Sequence, residues 1–184
     1  AYSLFSNLTN AEVSDTRVSS FNSNGFSYGT NSNSAVTGDT EVAWQWKGGG
    51  TAVTNTSGTI SSQVSANPSD GFSVVTYTGT GSAATVGHGL GVAPSMIILK
   101  RRDAGSTPWP VYHSSVVSLA NGKQFLLLNT TDAKGENGSA TTFTSASSTT
   151  FGIGDSAYFN ASSGTFVAYC FAAIAGYSAF GSYT

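Results

Sequence analysis

Apolar and polar residues alternate along much of this chain in short runs bounded by Gly, Ser, Asn and Asp, the period of strands and not of helices. These runs predict strands over Glu41–Trp46, Phe72–Thr78, Met96–Arg101, Gln124–Leu128, Phe151–Ile153, Phe166–Ala173 and Tyr177–Tyr183. In Val42-Ala43-Trp44-Gln45-Trp46 the large residues Val42, Trp44 and Trp46 share one face, so both tryptophans are expected in the core. Met96-Ile97-Ile98-Leu99 and Phe125-Leu126-Leu127-Leu128 are apolar on both faces, which marks central strands covered from two sides. Long stretches of Ala, Leu, Glu and Lys are absent, so very little helix is expected. The pattern implies an all-β fold, an antiparallel β-sandwich of jelly-roll or lectin-like kind.

Two parts of the chain match in order and nearly in spacing. Leu4-Phe5-Ser6-Asn7-Leu8-Thr9-Asn10-Ala11 parallels Leu126-Leu127-Leu128-Asn129-Thr130-Thr131-Asp132-Ala133, and Phe26 answers Phe151. Thr40, Val42, Ala43, Trp44 and Trp46 then answer Thr165, Val167, Ala168, Tyr169 and Phe171, keeping strand phase. Gly71-Phe72-Ser73 and Tyr77-Thr78 correspond to Gly176-Tyr177-Ser178 and Tyr183-Thr184. The sandwich is therefore expected to derive from a tandem repeat. Residues 1–47 form the C-terminal half of one unit, 48–70 a connector with an edge strand, 71–175 a complete unit, and 176–184 the first strand of a following unit or a closing strand. Half a sandwich cannot hide its own apolar face, so residues 1–47 must pack on residues 71–184, on a neighbouring subunit or on upstream sequence.

Charged residues make up only 9% of the 184, with a formal net charge of −2, and Ser, Thr, Asn and Gly supply the polar surface instead. That bias suits secreted and virion β-structure, and it removes the electrostatic term that drives nucleic-acid binding. The one basic cluster, Lys100-Arg101-Arg102, reads as charge at a strand exit that keeps an edge soluble. Cys170, the single cysteine, has no intrachain disulfide partner and reads as a small buried residue. No apolar run approaches the roughly 20 residues of a membrane helix. The start at Ala1 and the ends that cut across repeats suggest a processed product or a fragment.

Candidate chemistry is sparse. His88 lies in Gly87-His88-Gly89-Leu90-Gly91, which lacks the helix-opening context of a phosphate loop and reads as a tight turn. His88 and His113, with Asp103 or Asp155 in support, have no metal-ligand spacing. No Gly-x-Ser-x-Gly elbow occurs, and Asp39, Glu41, Asp103, Asp132 and Asp155 show no pairing suited to glycoside hydrolysis. No catalytic residue, metal or cofactor is called for. An aromatic ring can stack on a sugar, and Trp109, flanked by Pro108 and Pro110, is the leading candidate for glycan contact, with Tyr112 and His113 beside it. Its competing role is a plug at one end of the sandwich.

Gly71-Phe72-Ser73-Val74-Val75-Thr76-Tyr77-Thr78-Gly79-Thr80-Gly81, followed by Thr85-Val86-Gly87-His88-Gly89-Leu90-Gly91-Val92-Ala93-Pro94, resembles repeats in tail-fibre-like virion proteins of marine phages. Val167-Ala168-Tyr169-Cys170-Phe171 and Gly176-Tyr177-Ser178, with Phe180-Gly181-Ser182-Tyr183-Thr184, resemble the closing strands of that repeat. The resemblance implies a non-enzymatic virion structural protein, a phage tail-fibre or related host-facing assembly module. Its expected partners are further copies or other virion subunits and a host-surface polysaccharide, without nucleic acid or membrane insertion. The alternatives are a carbohydrate-binding module and an adhesin repeat on a bacterial cell surface.

Overall fold

The computed structural model describes residues 2–29, 38, 40–136, 138 and 140–183. In chain order its strands are β1 (Tyr2–Ser3), β2 (Val13–Ser14), β3 (Val18–Asn22), β4 (Gly25–Tyr28), β5 (Val53–Asn55), β6 (Ser62–Asn67), β7 (Phe72–Thr78) and β8 (Ala84–Gly87). They continue with β9 (Met96–Arg101), β10 (Pro110–His113), β11 (Gln124–Leu127), β12 (Gly135–Glu136), β13 (Phe143–Ala146), β14 (Thr150–Ile153) and β15 (Thr165–Phe171). One short helix, α1 (Ala157–Asn160), precedes β15. The protein is an all-β sandwich whose named strands all pair antiparallel. An eight-stranded sheet in the order β12-β11-β10-β9-β15-β7-β6-β5 faces a three-stranded sheet in the order β13-β14-β8.

Alternation along the central strands decides which residues enter the core. β15 sends Phe166, Ala168 and Cys170 inward, opposite Tyr77, Val75 and Ser73 of β7 on one side and Arg101, Leu99 and Ile97 of β9 on the other. Val86, Phe143, Phe151 and Ile153 of the smaller sheet and Phe159 of α1 meet them in one buried cluster. Rings organise its centre: Phe166 stacks on Tyr77 at 5.1 Å, and Phe143 meets Phe159 edge-on at 4.9 Å. Tyr77 donates its hydroxyl proton to the Phe159 carbonyl at 2.6 Å, so the one polar atom of that ring is satisfied. Asn160, wholly buried, accepts from the Thr80 amide and donates to the Ser82 carbonyl, fixing the turn between β7 and β8 against the end of α1.

Several expectations are met and others corrected. β7 and β9 run over the predicted residues, and β9 is central; Ile97 and Leu99 are buried on its inner face, but its outer face is only partly covered, with Met96 and Ile98 half-buried. β11, expected at the heart of the fold, is next to the edge strand β12, and its residues are half-buried. Residues 48–70 are more than a connector. β5 forms the edge of the large sheet and β6 pairs with β7 along its length, because Ser62, Val64 and Ala66 alternate inward with Gln63, Ser65 and Asn67 outward. Glu41–Trp46 and Tyr177–Tyr183 form no strand, and Trp44 and Trp46 are 78% and 56% exposed instead of buried in the core.

Candidate functional site

The outer face of the eight-stranded sheet is unusually apolar for a surface. β15 contributes Val167, Tyr169 and Phe171, β9 Met96, Ile98 and Lys100, and β7 Phe72 and Val74, because these are the residues that alternate away from the core. Only part of this face is covered. Residues 4–12 lie over one end, and at the other Trp46 packs on Phe72 and Phe171 with ring centroids 6.2 and 5.7 Å apart. Between them runs a groove of about 780 Å³, floored by Val74, Ile98 and Tyr169 and bounded by Tyr2, Leu4 and Trp46. A second groove of about 600 Å³ continues past Trp46, with Gln45, Lys47, Asp70 and Tyr177 on its walls.

Polar bonds that the sequence pattern does not reveal hold the covered end. Lys100, central in its sheet, is 0% exposed, and its ammonium donates to the Thr107 hydroxyl at 2.6 Å, the Thr107 carbonyl at 2.8 Å and the Thr9 carbonyl at 3.2 Å. Among the described residues no carboxylate pairs with it, and burial depresses its pKa to about 8. The reading of Lys100-Arg101-Arg102 as edge-solubilising charge is therefore corrected. β9 is interior to the sheet, Arg101 binds Asp103 at 2.9 Å, and Arg102 binds Glu12 through two contacts of 2.8 and 3.1 Å. The Glu12 and Thr107 amides add backbone bonds to the Arg102 and Thr9 carbonyls.

Trp109 is 4% exposed, below Lys100 and under the N-terminal segment, with its indole N–H shared between the Phe5 and Leu8 carbonyls at 3.0 Å each. A ring so enclosed plugs this end of the face, with only 4% of its surface left at the groove. Tyr112 points into the core against Phe143 at 5.8 Å, and His113 is on the outer face beside Phe180 at 6.1 Å. The three candidate glycan-contact residues thus occupy separate environments and share no concave surface. Exposed rings lie elsewhere, Tyr2, Trp44, Trp46 and Tyr177 among them. A count of aromatic positions finds them; the sandwich phase assigned to Trp44 and Trp46 hid them.

The remaining candidates are structural in their contacts. His88 is buried at the end of β8, accepting from the Leu90 amide at Nδ1 and facing the Ser147 carbonyl from Nε2, an arrangement that fixes the neutral tautomer. Burial lowers its pKa, against the smaller opposing effect of that carbonyl. His113 belongs to the other sheet, Asp103 is held by Arg101, and Asp155 by the Thr141 amide and hydroxyl. Asp39 lies outside the described residues. Among the described residues no three His, Cys, Asp or Glu side chains converge as a metal site. Burial pushes the Cys170 thiol up to about 12, which suppresses the reactive thiolate.

A family model spans residues 1–184. The chain belongs to the family described as Domain of unknown function (DUF7483). No curated protein and no solved structure matches it. For this DUF7483 domain the incompletely covered outer face is the feature best suited to recognition. It is concave and apolar, with Tyr2 and Trp46 at its rim, the Arg102–Glu12 pair at the covered end, and Lys47 and Asp70 beyond Trp46.

Proposed function

We propose that this DUF7483 domain is a non-enzymatic structural module of a phage particle, a tail-fibre or related host-facing assembly unit. It acts by packing its outer face against other copies or other virion subunits. The observation that carries the reading is the open part of that face, where Tyr2 and Trp46 are exposed beside an apolar floor and Tyr177 is exposed on the groove beyond Trp46. Contiguous exposed apolar surface of this kind marks an interaction site. The low charge of the chain favours close packing of subunits, and the resemblance of residues 71–81, 85–94, 167–171, 176–178 and 180–184 to fibre repeats gives the setting. Light scattering across a concentration series tests it. An assembly of two or more copies is expected, and a monomer at every concentration overturns it.

A specific feature favours a second reading, carbohydrate binding. In the groove beyond Trp46, the rings of Trp46 and Tyr177 stand among Gln45, Lys47 and Asp70, which combines stacking faces with hydrogen-bonding groups as sugar recognition requires. If this groove binds host polysaccharide, Trp46→Ala removes retention on a glycan array while the thermal transition of the fold stays in place. Absence of binding by the unsubstituted chain across bacterial polysaccharides rejects this reading.

A further inference from the structure

Two stretches of the chain repeat one another in register as well as in sequence. The β1–β2 ladder pairs Tyr2 with Ser14 and Ser3 with Val13, and the β11–β12 ladder pairs Gln124 with Glu136 and Phe125 with Gly135, at one offset for all four positions. The β3–β4 hairpin pairs Val18 with Tyr28, Ser20 with Ser27 and Phe21 with Phe26. β13–β14 pairs Phe143 with Ile153, Ser145 with Gly152 and Ala146 with Phe151, again at one offset. The register shifts between Val18 and Ser20 in the first hairpin and between Phe143 and Ser145 in the second, which are equivalent places. Each hairpin is closed by an equivalent bond, from the Gly29 amide to the Arg17 carbonyl at 2.8 Å and from the Gly154 amide to the Thr142 carbonyl at 2.6 Å. Short ladders coincide by chance easily; a shared irregularity and a shared closing bond at one offset are the marks of one supersecondary unit used twice.

Carried forward at the offset of those hairpins, Thr40, Val42, Ala43, Trp44 and Trp46 fall on Thr165, Val167, Ala168, Tyr169 and Phe171 of β15. β15 lies in the middle of the large sheet, paired with β7 along its whole length and with β9 on its other side. The counterpart has neither partner here. Val42–Trp46 form no strand, and their backbone groups bond to no other described residue. Val42, Trp44 and Trp46 are exposed, whereas at the same positions of β15 Val167 is buried and Tyr169 and Phe171 are half-buried. An extended, alternating segment with open backbone groups is a template for another strand.

A segment resembling β7 lies in the same chain. Gly176-Tyr177-Ser178 and Tyr183 answer Gly71-Phe72-Ser73 and Tyr77, and Gly71 and Gly176 share the left-handed backbone region, with φ of 67° and 76°. Tyr177 and Ser178 close a turn on the Ile174 carbonyl, and the Ser178 carbonyl accepts from the Ile174 amide at 3.3 Å, so this turn has to open for the two residues to join a ladder. Beyond them the backbone of Ala179–Tyr183 bonds to no described residue, and Tyr177 and Tyr183 are exposed.

We propose that Tyr177–Tyr183 of a second copy adds as an antiparallel strand to Val42–Trp46, rebuilding there the ladder that β7 makes with β15; this rests on the assembly reading of the outer face. The pairs Phe72–Phe171 and Tyr77–Phe166 set the register, placing Tyr177 opposite Trp46, Ala179 opposite Trp44 and Tyr183 opposite Glu41, with one residue bulged between Ala179 and Tyr183. Within one copy Trp46, Tyr177 and Phe180 line the same groove of about 600 Å³. A two-fold axis through such a groove makes the contact twice and closes the assembly.

Two singly substituted proteins, Trp44→Cys and Ala179→Cys, are mixed and oxidised; both positions are exposed, and native Cys170 is buried. The mixed disulfide is expected to dominate over both like pairs, and Ala179→Pro, which removes an amide from the added strand, is expected to abolish the dimer. Statistical proportions of the three disulfides in a chain that light scattering shows to be assembled overturn the pairing and leave the assembly reading standing. An intrachain bridge in the doubly substituted chain, in place of intermolecular product, also overturns it. A monomer at all concentrations overturns both.

Discussion

Trp109→Ala is expected to destabilise the fold by about 3–5 kcal/mol, the cost of deleting a buried large ring, and to loosen the N-terminal segment at the same time. The ring is 4% exposed, and its N–H is the shared donor for the Phe5 and Leu8 carbonyls. Its loss leaves a cavity beneath residues 4–12 and two carbonyls without that donor. Trp109→Phe keeps most of the packing and loses the donor alone, for a smaller cost of about 1–3 kcal/mol. Denaturant unfolding measures the two costs, and amide exchange at residues 4–12 locates them. A sugar-stacking tryptophan behaves in the opposite way, giving near-normal stability with lost binding. Unchanged stability in Trp109→Ala contradicts the plug.

Truncating Lys100 is the second large effect. Lys100→Ala removes the donor shared by the Thr9 and Thr107 carbonyls and opens space under the loop; the Thr9 carbonyl keeps the Thr107 amide, so a loss of about 3 kcal/mol is expected from the Thr107 carbonyl left without its donor and from the lost packing. Lys100→Met restores the bulk without the hydrogen bonds and falls between. The pH dependence is specific to the ammonium. Its folded pKa, about 8, is below the ordinary 10.5, so between these values the unfolded chain holds more protons and this group makes stability rise with pH. Below pH 8 the desolvation cost is present in full; above 10.5 it is gone. Tyr77 and Cys170 act in the opposite sense, because burial raises their pKa values and their contributions fall as alkaline pH ionises them. The gap in stability between the unsubstituted chain and Lys100→Met isolates the lysine, and it should move in favour of the lysine from pH 8 to 10.5. A gap independent of pH contradicts a desolvated ammonium.

These two residues show where sequence pattern is informative and where it stops. β7 and β9 are legible because their alternation, or their apolarity on both faces, is dictated by burial within the sheet itself. Lys100 sits in the same run as Met96-Ile97-Ile98-Leu99, but its burial depends on Thr107 and Thr9, one loop away and 91 positions away in the chain. No local pattern carries that contact. Trp109 was legible as a rigidly flanked ring, yet the segment that covers it comes from 101 and 104 positions earlier. β1 to β4 carry no legible pattern because they are short and rich in Ser, and β6 because its inward positions are the small residues Ser62, Val64 and Ala66. In Trp44 and Trp46 the alternation is real. It specifies an extended segment with one apolar side, but the covering layer has to come from another strand.

The central claim is that the exposed part of the outer face is an assembly surface, and tryptophan quenching by acrylamide, read alongside the light-scattering mass, tests it most directly. Trp109 is already buried in one copy, so any change reports Trp44 and Trp46. As concentration carries the chain into the assembled range, the quenchable fraction of emission is predicted to fall in step with the rise in mass. Mass that grows while both tryptophans stay fully quenchable, or a monomer throughout, contradicts the account.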